Sequence, residues 1–280
     1  MHSKRIMQKV FGNFFTYLVL IIVVFIINLP TLSMLGTAFK SKSEALSTIS
    51  LLPSKFHIDS FKYVLGSTDF GSNILNSIYI SLVVSLFCII ISAFAAYAIS
   101  RFKSRLFSLY SVALLLIQMF PGVLMLIPMY LIFKNLNLVD TPYSVMLAYT
   151  AIHLPFSIWM LKGFFDTISV ELEQSAMVDG ATQFRSFISI VLPISLPGIA
   201  TVGIFAFINS WNEYMLASVL LKSDNVMTVT VGLEKFVQQY TSDWPALMAG
   251  SSLAIVPSLL FLLFVQRYLI EGLTAGSLKG

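Results

Sequence analysis

Residues Leu172–Gly198 read LEQSAMVDGATQFRSFISIVLPISLPG. This is a polar island between two very apolar stretches, and its reading decides what the chain is. The pattern predicts a short helix, a turn centred on Gly180, a second short helix, and a Leu-Pro step into the next apolar run. Ser169 is placed to cap the first helix, with Glu171 and Glu173 in its first turn, where the helix dipole favours carboxylates. Leu172, Ser175, Ala176 and Asp179 share one face by three- and four-residue spacing. The small residues Ser175 and Ala176 leave room for a close partner. Gly180 supplies the positive φ that ends the helix. Thr182 is placed to cap the second, which carries Arg185. Pro193 and Pro197 mark the entry to the following span. On residues alone, an interfacial helix lying on lipid competes evenly with a docking segment. Against lipid stand the missing aromatic-rich face and the acidic Asp179, since helices on lipid are usually basic.

The rest of the chain is membrane-like. Of its 280 residues, 57% are hydrophobic and 11% charged, against about 25% charged in soluble domains. Uncharged runs cover 10–39, 70–100, 106–133, 141–161, 186–212 and 244–266. Each is long enough for the roughly 20 residues that cross a bilayer core. Their near-continuous apolarity fits helices and not barrel strands. The expected fold is therefore an all-α membrane protein with six transmembrane helices. Expected spans are 12–35, 73–99, 106–132, 143–161, 194–219 and 246–266.

The net charge of +4 does not indicate nucleic acid, because the basic residues sit in short loops. With the N-terminus inside, ten of the 17 Lys and Arg fall on cytoplasmic segments: Lys4, Arg5, Lys9, Arg101, Lys103, Arg105, Lys162, Arg185, Arg267 and Lys279. Seven fall outside. That bias, with an even number of spans, puts both termini in the cytoplasm. The expected layout is one domain over 1–280. It has an external loop at 40–72, with a short helix near Ser60–Leu65, a cytoplasmic loop at 163–192 and a cytoplasmic tail at 267–280. The N-terminal apolar run is too long for a signal-peptide core and reads as a retained first span.

Several residues inside the apolar runs carry chemistry. Span 3 is broken by Gln118 and Phe120-Pro121-Gly122, then by Pro128; a broken helix at membrane depth belongs inside protein or beside a water-filled cavity. Glu213 is the one acid in a predicted span region, and such a carboxylate is a functional candidate, for a sugar hydroxyl or a gate. The competing reading is a structural hydrogen bond near the outer surface. Asn209, Trp211, Asn212 and Tyr214 offer amides and aromatic faces suited to sugars. Gln118 joins them as a pathway candidate, with a kink satisfied by a neighbouring helix as the alternative. His153 in span 4 reads as a packed or cavity-facing group ahead of a proton-coupling one. Cys88 reads as a small buried hydrophobe, and Phe236, Tyr240 and Trp244 as outer-surface contacts or interface anchors. No nucleotide-binding GxxxxGK[ST] pattern, metal-ligand spacing or catalytic cluster occurs, so no enzymatic role and no metal are expected.

The opening segment resembles the EAA loop of ABC-importer permeases: EAA, three residues, G, nine residues, then I-x-L-P. Ala176, Gly180, Ile190, Leu192 and Pro193 fit that spacing. Gln174 and Ser175 depart from the usual Glu and Ala, and Glu173 stands one position earlier. The family's Glu makes a charged contact with its ATPase. Here that leaves two alternatives, Glu173 at a different angle or an uncharged hydrogen bond from Gln174. Asp179-Gly180-Ala181 is typical of sugar-importer members. WNEY at Trp211–Tyr214, Val231-Gly232-Leu233, Tyr240, Asp243-Trp244 and Leu247-Met248-Ala249 extend the likeness. So do Gln266-Arg267-Tyr268, Gly272-Leu273-Thr274-Ala275-Gly276 and Lys279-Gly280. The ending is close to the six-span second permease of maltose-type transporters.

The resemblance implies a type I ABC importer permease fold with a cytoplasmic coupling helix. It implies one half of a carbohydrate pore in a bacterial cell membrane. The implied partners are a second permease subunit, two ATPase subunits, an extracytoplasmic sugar-binding protein and membrane lipid. ATP is bound by the ATPase and no cofactor by this subunit. Glu173, Gln174, Ser175, Ala176, Asp179, Gly180, Ile190, Leu192 and Pro193 are the implied docking residues, and Thr274–Gly280 is implied to lie near the ATPases. The alternative of a different class is a stand-alone ion-coupled transporter using Glu213 and His153.

Overall fold

In the computed structural model the backbone is described for residues 2–47, 49–102, 104–237 and 243–277, and side chains within 16–266 of these. Lys103 and Tyr240 lie outside the described residues, as do the side chains of Lys4, Arg5, Lys9, Arg267 and Tyr268 and those of the tail. The regular secondary structure of the described residues is helical, with no β-strand among them. In order the helices are α1 (His2–Ala38), α2 (Lys42–Ser47), α3 (Asp59–Gly66), α4 (Phe70–Arg101) and α5 (Arg105–Gln118). Then come α6 (Leu126–Asn135), α7 (Pro142–Asp166), α8 (Val170–Val178), α9 (Gln183–Ser186), α10 (Leu192–Ile194) and α11 (Leu196–Asn212). The last are α12 (Met215–Leu220), α13 (Val229–Glu234) and α14 (Trp244–Ser277). A 3₁₀ turn at Gly122–Met125 precedes α6, and a π-helix at Phe187–Val191 separates α9 from α10.

Four stretches are long and apolar enough to cross a membrane: Thr16–Ala38, Phe70–Arg101, Pro142–Asp166 and Trp244–Gln266. Two further candidates are bent pairs, Arg105–Gln118 with Gly122–Asn135 at 97° and Gln183–Ile194 with Leu196–Asn212 at 75°. Counting each bent pair as one span gives the six expected from the sequence. Both bends fall at prolines, which withhold an amide N–H from the helical ladder. Pro121 is extended (φ −61°, ψ 123°), and Pro193 and Pro197 open α10 and α11. Pro128 makes no second break in span 3. It lies in the first turn of α6, where a missing N–H is harmless.

The chain divides into two compact units, 1–68 with 236–253, and 69–235 with 254–280. In the first, the 40–68 region is held by local polar contacts. Lys40 Nζ donates to the Ser50 carbonyl at 2.6 Å, and the Glu44 carboxylate accepts from Ser54 N and Oγ at 2.7 and 2.8 Å. Two hydrogen bonds from Ser54 hold the Glu44 carboxyl below its ordinary pKa. Lys42 pairs with Asp243. α3 occupies the site of the expected short helix, while residues 70–72 already belong to α4 and not to the loop.

The second unit is built on α4, packed chiefly on α7 and α11. Ser77, Ser81, Ser85, Cys88, Ser92 and Ala96 are buried along α4 at three- and four-residue intervals. This small-residue stripe lets neighbouring helices approach closely. Cys88 is buried and unpaired. Gly203 of α11 faces Ile89, and a Cβ on Gly198 would press into the Phe164 ring of α7. Both contacts are short because only hydrogen intervenes.

Candidate functional site

The polar island forms two capped helical limbs around a glycine turn. Ser169 Oγ accepts from Glu171 N at 3.2 Å, and Thr182 Oγ1 from Arg185 N at 3.2 Å. Gly180 has φ +90°. Its N–H reaches the Met177 carbonyl at 3.1 Å, and the Ala181 N–H reaches that of Ala176 at 3.0 Å. These bonds satisfy carbonyls at the end of α8, as a left-handed C-terminal residue allows. Leu172, Gln174, Ser175, Met177, Val178 and Asp179 are exposed, Val178 to 87%, and Ala176 is half-buried.

Glu173 is turned the other way and is 2% exposed. Its Oε1 accepts from Arg101 Nε at 2.6 Å and its Oε2 from Tyr97 OH at 2.6 Å. Of the two alternatives for a contact at this position, the outward-facing side chain is that of Gln174. Glu173 is taken up within the subunit, because an uncompensated Arg101 would otherwise be buried beside it. Sequence reasoning missed Arg101 and Tyr97 as members of this cluster. The available signal was an arginine closing one apolar span and an acid opening the next polar segment. Ile190 and Leu192 are partly buried and link the second limb to α11, while Pro193 is exposed.

The pathway candidates differ in exposure and in role. Glu213 is extended (φ −71°, ψ 129°) and ends α11 at Asn212, so span 5 does not run on as a helix to 219. Its Oε1 accepts from Leu216 N at 2.9 Å, and its Oε2 from Ala217 N at 3.1 Å and Tyr149 OH at 2.6 Å. The carboxylate thus starts α12 by bonding its first free amides, the structural alternative for this residue. Trp211 is 4% exposed and stacks on Phe207, which stacks in turn on Phe261. It is a core residue and offers no open aromatic face. Asn209 is exposed and bonds back to the Phe205 carbonyl. Asn212, Tyr214 and Gln118 are exposed, Gln118 as the last residue before the 97° bend.

His153 is buried on α7 with its ring edge-on to Phe205 at 5.8 Å. Its Nε2 has no hydrogen-bond partner, and no ion pair joins it to Glu213 among the described residues. Phe236 is buried and Trp244, at the start of α14, is exposed. No group of three His, Cys, Asp or Glu is placed to hold a metal among the described residues.

Residues 88–274 match the family of binding-protein-dependent transport system inner membrane components. The chain belongs to that family, and is a multi-pass membrane protein and an ABC transporter permease, a transport protein and not an enzyme. It is 30% identical to the diacetylchitobiose uptake system permease protein DasC of Streptomyces coelicolor, over 98% of this chain and 99% of that one. It is 32% identical to the trehalose transport system permease protein SugB of Mycobacterium tuberculosis, over 90% and 92%. Among solved structures, a chain of a bacterial ABC transporter involved in import of the acidic polysaccharide alginate superposes with TM-score 0.79. The identity is 21%, over 93% of this chain and 96% of that one, a likeness of fold.

Proposed function

We propose that this chain forms half of the translocation pore of a bacterial carbohydrate importer and takes its motion from ATPases through α8 and the Gly180 turn. The relatives whose names state a cargo are permeases for diacetylchitobiose, trehalose and sulfoquinovosyl glycerol, all of them sugars or glycosides, which supports a mono- or oligosaccharide substrate. A second permease subunit completes the pore. Two ATPase subunits bind the ATP, and an extracytoplasmic binding protein delivers the sugar. The polar island and both termini face the cytoplasm.

The observation that carries this reading is α8. It is a short helix capped at both ends, exposed along Gln174, Ser175, Val178 and Asp179, and placed where α4 and α7 end. A segment exposed on that face and ordered by its own caps suits a docking element. The docking set is then Gln174, Ser175, Ala176, Asp179 and Gly180 at the surface. Ile190, Leu192 and Pro193 form the link to α11. Glu173 holds the segment from behind. Gln118, Asn209, Asn212 and Tyr214 remain the pathway candidates.

Gly180→Val tests the reading. The left-handed backbone at φ +90° opposes a β-branched residue by about 1–2 kcal/mol, enough to redirect the turn. The variant is expected to insert in the membrane normally and to lose sugar uptake in proteoliposomes containing the co-purified ATPase. Uptake by the wild-type chain alone, without any ATPase, would overturn the proposal in favour of ion-coupled transport.

A further inference from the structure

We infer that Arg101 and Glu173 are positioning residues that key the docking segment to the joined ends of α4 and α7, so that segment and pore helices move as one body. This inference rests on the importer reading above.

Both charges are withdrawn from solvent, with side-chain exposures of 7% for Arg101 and 3% for Glu173. A buried charge persists only where its hydrogen bonds are met, and here they are. Arg101 Nε donates to Glu173 at 2.6 Å. Nη1 donates to Ser100 Oγ at 3.0 Å and to the Phe165 carbonyl at 3.1 Å, and Nη2 to the Ile168 carbonyl at 3.2 Å. The Tyr97 ring lies 6.0 Å from the guanidinium, and its hydroxyl takes the second Glu173 oxygen. One arginine at the end of α4 thus binds carbonyls where α7 ends and the acid in the first turn of α8. Three chain segments meet on one planar fork, a geometry lysine cannot reproduce.

The other limb of the turn is held on the same helix by aromatic contacts. Phe184 of α9 lies parallel to Phe94 of α4, 2° apart at 6.5 Å. Phe187 packs on Tyr97 at 4.4 Å and on Phe165 at 6.2 Å. Tyr97 therefore joins both attachments: its hydroxyl holds α8 and its ring holds the π-helix. A segment fixed to α4 on both sides of Gly180 cannot swing about that glycine. Displacement of α8 is passed to α4 as a rigid-body motion and not absorbed in the loop.

Two measurements test this. The first is hydrogen exchange of the detergent-solubilised chain and needs no partner. Glu173→Gln and Arg101→Lys should each speed exchange of the amides of residues 170–178 by about tenfold or more through local opening, with 196–212 unchanged. Tyr97→Phe, which keeps the ion pair and both ring contacts, should give a smaller rise. The second uses the assembled transporter. Both charge variants should still co-purify with the ATPase and hydrolyse ATP, while sugar transported per ATP falls by roughly fivefold or more. Wild-type exchange over 170–178 in all three variants overturns the tie. Loss of ATPase binding by Glu173→Gln with exchange unchanged overturns it in favour of a direct contact. Faster exchange in a chain that binds no ATPase even as wild type upholds the tie and sinks the importer reading instead.

Discussion

The Tyr149 hydroxyl donates to the Glu213 carboxylate at 2.6 Å, joining the middle of α7 to the break between α11 and α12. Tyr149 is fully buried, so its hydroxyl depends on this acceptor, and Glu213 also holds two amides of α12. Tyr149→Phe removes one net hydrogen bond and should cost about 1 kcal/mol. Glu213→Ala strands the tyrosine hydroxyl and both amides and should cost more, about 1–3 kcal/mol. Thermal unfolding in detergent should rank the two in that order, with the double variant no worse than Glu213→Ala. A fully additive double variant would mean that the two groups act independently.

Gly36 and Gly163 are both helical glycines with opposite surroundings. A Cβ on Gly36 would fall inside the contact radius of the Leu51 carbonyl oxygen, a backbone atom with no rotamer to change. A Cβ on Gly163 would meet nothing within 4 Å. Gly36→Ala should therefore destabilise by about 1–3 kcal/mol. Gly163→Ala should be neutral or stabilising by up to about 1 kcal/mol, the helix preference of alanine over glycine. Equal melting temperatures for the two variants would contradict the close approach of α1 to the segment at Leu51.

Asp140 ties the turn after α6 to the start of the 222–228 segment. Its carboxylate accepts from Lys222 N at 2.7 Å, from Ser223 N at 2.8 Å and from Ser223 Oγ. Its own backbone is left-handed at φ 63°, a conformation asparagine also accepts. The hydrogen bonds from Ser223, with a smaller contribution from Lys222, hold its pKa below the ordinary value. A depressed carboxyl stabilises the fold above its unfolded pKa of about 3.9 and ceases to as pH falls through the lower folded value. Wild type should thus exceed Asp140→Asn in Tm by a constant margin from neutral pH down to about 4, and the margin should shrink below that. A margin that widens on acidification would mean that the charged form is not the one preferred.

How much of this was legible in the sequence differs from segment to segment. The bends at Pro121 and at Pro193 with Pro197, the caps at Ser169 and Thr182 and the left-handed Gly180 could all be read locally. Each depends on one or two residues and the backbone beside them. The apolar runs gave the six candidate spans because crossing a bilayer is a matter of length and apolarity alone. The family could be read from the EAA-like spacing together with WNEY.

What only the tertiary structure decided is where the polar side chains point. In the sequence Glu173 and Gln174 are neighbours of nearly equal claim. In the fold Glu173 is buried and Gln174 exposed, because successive helical residues lie 100° apart and only one can reach Arg101. Trp211 reads as a sugar platform until Phe207 is stacked on it, with Phe261 stacked in turn on Phe207. Glu213 reads as a lone acid in a membrane until Tyr149, distant in the chain, is brought to it. A sequence fixes which residues can form helices and turns by short-range sterics and hydrogen bonding. Which carboxylate is buried and which is offered to a partner depends on groups far along the chain, and only packing brings those together.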